Sequence, residues 1–378
     1  MNLFPVYPLF NINPVKAEGS FIWDENGQKY LDFYGGHAVI SVGHNHPCYV
    51  TKIKDQLEKI SFYSNSVQNN LQTELVEKLG EISGYDNYSL FLCNSGAEAN
   101  ENALKLASFH NGKKKVIYFS GSFHGRTSAA VSVTDNPKIV APVNVSKNFI
   151  KCEWNNVEEL KQLFREHEGE ISTVIIEGIQ GVGGIIFPSE EMISALKNLC
   201  AENEVILIMD EVQSGHGRSG KFFAHQECDI QPDLITVAKG MGNGFPIGGV
   251  LISSKFKASN GLLGTTFGGN HLACAAAIAV LEIIKNENLM ENAEKMGAYI
   301  QTKIQNFNHI KSIRRRGLMI GIELDLPCAE IRSKLLTEHH VFTGNSNDPN
   351  VLRILPALNV TEKEADLFIE ALESVLQN

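Results

Sequence analysis

Two short apolar runs constrain this chain more than anything else in it. Val205–Met209 (VILIM) ends on Asp210, and Leu234–Ala238 (LITVA) ends on Lys239. Runs of this length between polar and Gly-rich segments read as strands buried on both faces, the kind that parallel sheets use. The expected fold class is therefore α/β, with a large domain built on a mostly parallel central sheet. If the two strands run the same way, Asp210 and Lys239 stand at one rim, the carboxyl end, where open α/β sheets bind ligands. Pyridoxal phosphate (PLP) asks for such a pair: a lysine for its aldehyde and an acid for its ring nitrogen. An ion pair bracing a strand edge would use the same two residues, so the flanking sequence has to decide.

It continues Asp210-Glu211-Val212-Gln213-Ser214-Gly215, then Gly217, Arg218 and Gly220, and later Ala238-Lys239-Gly240. This ordered set resembles the cofactor core of the class III (ω-amino acid) aminotransferases, and the resemblance runs from about Gly19 to Pro356. It implies PLP-dependent transferase fold type I. It also implies PLP as cofactor, with Lys239 holding its aldehyde and moving the substrate proton, and Asp210 on the ring nitrogen. Val212 would lie against one face of the ring, and Gln213 would reach the ring's 3-oxygen.

Other segments fit that frame. Tyr88–Cys93 reads as a strand, and the next residues, NSGAEANENALKL, start a helix. Ser95 followed by Glu98 is a capping box. The small residues Ser95, Gly96 and Ala97 leave backbone N–H groups open to an anion, and by resemblance they hold the cofactor phosphate. After the strand Lys115–Phe119 comes Phe123-His124-Gly125-Arg126-Thr127. The match implies that Phe123 covers the second ring face; the guanidinium of Arg126 suits a substrate carboxylate. Gly264-Thr265-Thr266-Phe267-Gly268-Gly269-Asn270 implies that Thr266 holds the phosphate of a neighbouring subunit, with Thr265 near its substrate, and hence a homodimer with shared sites.

The chain departs from the family at Val182 in Gln180-Gly181-Val182-Gly183-Gly184, where relatives carry a Glu that pairs with the Arg of a downstream LR-x-x-P motif. That Arg survives as Arg353, expected to bind the dicarboxylate substrate and otherwise to pair with solvent or another carboxylate. Relatives acting on free ornithine place a Tyr near Gly35–Val39; Gly36 here leaves room for an N-acylated ornithine, and His37 is placed to contact the acyl group. The function implied is transfer of the δ-amino group of N2-acetylornithine to 2-oxoglutarate, giving N-acetylglutamate 5-semialdehyde and glutamate, a step of arginine biosynthesis. N2-succinylornithine and other ω-amino acids are the alternative substrates. A non-catalytic nucleotide- or phosphate-binding protein is the remote alternative, since Gly240-Met-Gly242-Asn-Gly244 matches a dinucleotide loop only loosely.

The net charge of −10 argues against nucleic acid or an anionic membrane as partner. Seven cysteines without CxxC spacing suit a reducing compartment, and no apolar run approaches a membrane span, so a cytoplasmic enzyme is expected. His44 and His46 in GHNHP lack a third ligand, and no metal site is expected. An Asn26-Gly27 hairpin opens residues 1–50, expected to join residues 276–378 in a small α+β domain, with residues 51–275 as the cofactor domain.

Overall fold

A computed structural model describes residues 1–377. The apolar runs become the middle of a seven-stranded sheet. Its order is Ser89–Cys93, Gly248–Ile252, Leu234–Val237, Ile206–Asp210, Ile171–Glu177, Lys115–Phe119, Phe149–Cys152. Only Gly248–Ile252 runs against both its neighbours; the pairs from Leu234–Val237 across to Phe149–Cys152 are parallel. The central strands are buried at every position, which explains why their sequences are apolar runs rather than alternations. Helices cover both faces. Glu190–Glu202 and Val157–Glu166 supply Met192, Leu196, Leu160 and Phe164 to one core, and Gly96–Asn111 supplies Ala99, Ala103 and Leu106 to another.

The parallel register aligns Glu177 with Asp210, and Asp210 with Thr236, at the carboxyl rim. Three strands thus deliver chemistry to one edge, since Lys239 follows two residues after Val237.

The rest of the chain closes over that rim. Phe21–Asp24 and Lys29–Asp32 form the expected hairpin, with Asp24 Oδ1 accepting from the backbone N–H groups of Asn26 and Gln28 across the turn. Lys29–Asp32 also pairs in parallel with Val341–Phe342, so the N-terminal hairpin is stitched to the C-terminal region. Phe33 stacks on Phe368 of the helix Glu362–Gln377 at 4.9 Å, inside a core shared with Leu289–Ile304 and Met319–Leu324. The second small sheet, Ile310–Arg316, Met319–Leu324, Val351–Ile354 and Gly344–Asn345, carries Arg353. Among the described residues no helix is long and apolar enough to cross a membrane.

Candidate active site

The helix Gly96–Asn111 begins where expected, with Ser95 Oγ accepting from the Glu98 N–H at 3.2 Å. The box closes one residue earlier than a standard one: Glu98 Oε2 accepts from the backbone N–H of Asn94 (2.7 Å) and from the Ser95 hydroxyl. Gly96 is small for a reason, because a Cβ there would stand 2.7 Å from Val212 Cγ1. This helix start opens into a cavity of about 420 Å³ lined by Ser95, Gly96, Ala97, Phe123, Arg126, Val182, Asp210, Val212, Gln213 and Lys239.

Asp210 is buried and held from three sides. Asn100 Nδ2 donates to Oδ2 at 2.8 Å, His124 Nδ1 bonds the same oxygen at 2.7 Å, and the Val212 N–H donates to Oδ1 at 2.9 Å. Asn100 is itself fixed by the Thr236 hydroxyl at 2.7 Å. Such an array fixes a carboxylate in place and leaves it competent to stabilise a positive charge across the cavity. Lys239 heads a short turn with its backbone at φ 46°, a left-handed value for a non-glycine residue and a sign of local strain at the cavity wall. Burial lowers the pKa of its amine, while Asp210 and Glu177 pull it back up. An amine with a lowered pKa is a better nucleophile and proton carrier near neutrality.

Glu177 was not singled out as a site residue, although it ends a buried strand as Asp210 does. Its oxygens accept from the Phe123 and Gly181 N–H groups (3.0 and 3.2 Å), and burial pushes its pKa up to about 7 despite the nearby His124, with Asp210 adding to the rise. The sequence signal was present: the same apolar-run-then-acid pattern. His124, Asn100 and Thr236 carried no such signal, because their roles depend on which strand lies beside which. Asn243 is another: its side chain accepts from the Ser41 and Val42 N–H groups and donates to Gly43 O, tying the N-terminal segment to the loop after Lys239.

Not every expected residue reaches the cavity. Residues 35–38 all have positive φ, forming one left-handed turn that leaves Gly36 and His37 exposed. The His37 ring bonds the Tyr34 hydroxyl rather than lining the cavity, and partial desolvation by its neighbours, with the nearby Lys239, Arg353 and Arg332 charges, lowers its pKa to about 4 although the residue keeps an exposed face. Its carbonyl accepts from Gln213 Nε2 at 3.1 Å. Arg353 is buried, and in place of the expected solvent or carboxylate it finds two neutral oxygens, Asn345 O from Nε and Gln213 Oε1 from Nη1 at 3.3 Å. Val182 lines the cavity and accepts through its carbonyl from the Asn347 N–H. Thr265 and Thr266 lie outside the cavity; Thr265 Oγ1 accepts from Asn94 Nδ2, and Thr266 is exposed. His44 and His46 face different carboxylates, Asp32 at 2.9 Å and Glu287 at 2.8 Å.

A family model for class III aminotransferases matches residues 5–376. The chain belongs to that family. Membership makes it a PLP-dependent aminotransferase of fold type I. It is 40% identical to the acetylornithine aminotransferase of Bacillus subtilis over 99% of this chain and 97% of that one. With the acetylornithine aminotransferase of Archaeoglobus fulgidus it shares 40% identity over 94% and 93%. Among solved structures, the ornithine aminotransferase of Toxoplasma gondii superposes with a TM-score of 0.91 at 27% identity, over 99% of this chain and 92% of that one. The acetylornithine aminotransferase of Elizabethkingia anophelis gives 0.84 at 28% identity, over 98% and 95%.

Proposed function

We propose that this aminotransferase moves the δ-amino group of N2-acetylornithine to 2-oxoglutarate, in arginine biosynthesis. Its near-full-length relatives act on acetylornithine by name. The observation that carries the reading in the structure is Gly36. A Cβ built on it meets no atom within 4 Å, so no side chain fills the space beside the turn whose His37 carbonyl accepts from Gln213, a residue of the cavity wall, and we read that space as room for an acyl group.

The cavity fits PLP on its own features. A helix N-terminus whose first residue, Gly96, has no side chain of its own suits a phosphate, the held carboxylate of Asp210 suits a protonated ring nitrogen, and His124 Nε2 is a buried polar atom still without a partner. Ser95, Gly96 and Ala97 would take the phosphate, Phe123 and Val212 the two ring faces, and Gln213 the 3-oxygen. When bound, PLP supplies an electron-withdrawing ring that makes the amino-bearing carbon of the substrate acidic.

Lys239 would hold the cofactor, and its Nζ, once released, would take the proton from that carbon and deliver it to the cofactor carbon the lysine had occupied, with the reverse transfer in the second half-reaction. Asp210 would stabilise a positive charge at the ring nitrogen. Arg126, exposed at the cavity wall, receives the α-carboxylate of the acylornithine; Arg353 receives a carboxylate of 2-oxoglutarate after leaving Gln213. Residues 51–275 act as the cofactor domain, and residues 1–50 with 276–378 as the lobe that brings Arg353 and His37 to its rim. Thr266, exposed and remote from its own cavity, completes the phosphate site of a second copy in a homodimer, with Thr265 beside that copy's substrate.

The test is a panel of N2-acetylornithine, N2-succinylornithine, ornithine and 4-aminobutyrate with 2-oxoglutarate as acceptor. The highest kcat/KM is expected for N2-acetylornithine. Preference for a free ω-amino acid would sink the reading.

A further inference from the structure

A second cavity of about 540 Å³ opens between the strand Ile310–Arg316 and the loop Ser219–Lys221. It shares no lining residue with the first. Its wall carries Lys221, Arg314, Arg315 and Arg316 against Glu227 and Glu294, an excess of cations in a chain whose net charge is −10. Arg315 is accounted for: it donates to Gln301 at 2.7 Å and to Glu294 at 2.8 Å. The other two are not. Arg314 donates from Nη1 to Glu323 at 3.2 Å, but its Nε is buried without an acceptor. Arg316 lies over the Phe187 ring, 4.8 Å from its centre, and its Nη1 is likewise buried without an acceptor.

A buried guanidinium N–H with no acceptor is unfavourable, and native proteins seldom leave one. Arg314 and Arg316, each with one such N–H, line the cavity beside the exposed ammonium of Lys221, and guanidinium forks grouped this way are of the sort that binds oxyanions. Contact with the Phe187 ring restrains the Arg316 guanidinium, so less side-chain freedom would be lost on binding.

We propose that this cavity binds a small oxyanion carrying two or more negative charges, through Arg314, Arg316 and Lys221. The site touches segments that lead to the first cavity. Ser219–Lys221 continues the segment of Asp210 and Gln213, and Phe187 directly follows the Gln180–Ile186 bridge that encloses Val182. An occupant would brace both.

The test uses the holoenzyme, titrated with sodium sulfate against sodium chloride at matched ionic strength, read by calorimetry and by thermal unfolding. Saturable sulfate binding is expected, with a rise in Tm beyond that in chloride. Arg316→Gln should weaken the binding at least tenfold and remove the extra rise, with the absorption of the bound cofactor unchanged. Lys221→Gln, on an exposed side chain, provides the same comparison should Arg316→Gln fail to fold. Inorganic phosphate and citrate then separate a phosphate-type ligand from a carboxylate one. If sulfate and chloride act alike, or if sulfate binding survives both substitutions because it occupies the first cavity, the proposal fails.

Discussion

The two ends of the catalytic cavity are built on different terms. At the end assigned to the cofactor, Asp210 takes three donors from its own chain, and one of those donors, Asn100, is itself held by Thr236. At the end assigned to substrates, Arg126 is exposed, His37 turns away to Tyr34, and Arg353 rests on neutral oxygens. The first end is fixed before anything binds, whereas the second has contacts that can be exchanged. An enzyme that keeps one cofactor and alternates two substrates needs that division: rigidity where charge develops, and weak, replaceable bonds where ligands come and go.

Breaking the fixed end should cost most. Lys239→Ala is expected to lower kcat on the order of 10⁴-fold with the fold intact. Borohydride treatment of the wild-type holoenzyme, followed by peptide mapping, should mark Lys239; a label on another lysine would end the assignment. Asp210→Asn keeps the shape and removes the charge, with an expected loss of about 10²–10³ in rate, or roughly 3–4 kcal/mol. Near-normal turnover would make Asp210 a scaffold residue.

Glu177 sharpens the comparison through pH. Its folded pKa is raised to about 7, so its contribution to stability is full below the unfolded carboxylate range and is lost as pH rises through 7. Relative to Glu177→Gln, the wild-type apoenzyme should therefore lose roughly 2–3 kcal/mol between pH 5 and 8 in chemical denaturation. A parallel pH dependence in the two proteins would show that Glu177 does not titrate there.

The substrate end should respond more selectively. Arg353→Ala is expected to slow the 2-oxoglutarate half-reaction about 10–100-fold and to leave the acylornithine half-reaction within about threefold, in single-turnover measurements. Equal losses would mean that Arg353 serves both substrates or neither. The smallest effect is expected from Val182→Glu, a carboxylate placed to compete for Arg353: 2-oxoglutarate binding should weaken by about tenfold or less, with activity retained.

Much of this was legible in the sequence, and the reason is burial. Strands covered on both faces are mostly apolar, so the bounds of Lys115–Phe119 and Gly248–Ile252 show in the sequence. Direction leaves no such trace, and nothing in GGVLI announces that this strand alone opposes both neighbours. The strand Ile310–Arg316 escapes notice for the opposite reason: it lies at a sheet edge, and its three arginines read as a surface charge cluster. The site is legible wherever a residue ends a strand or starts a helix, as Asp210, Lys239 and Ser95 do. It is not legible where two remote side chains meet, as with Gln213 bridging Arg353 and the His37 carbonyl. Glu177 had the same signal as Asp210.

The parallel pairing of Leu31 with Val341 has a consequence in time. About three hundred residues separate the partners, so the first hairpin leaves the ribosome long before the strand it must join exists. At synthesis rates of roughly 5–20 residues per second, that delay is roughly 15–60 s. Through that interval the sheet has three of its four strands and Phe33 has no Phe368 to stack on. The last segments made therefore decide when the first ones settle, and a nascent chain halted before Val341 would carry three strands of that sheet without the fourth.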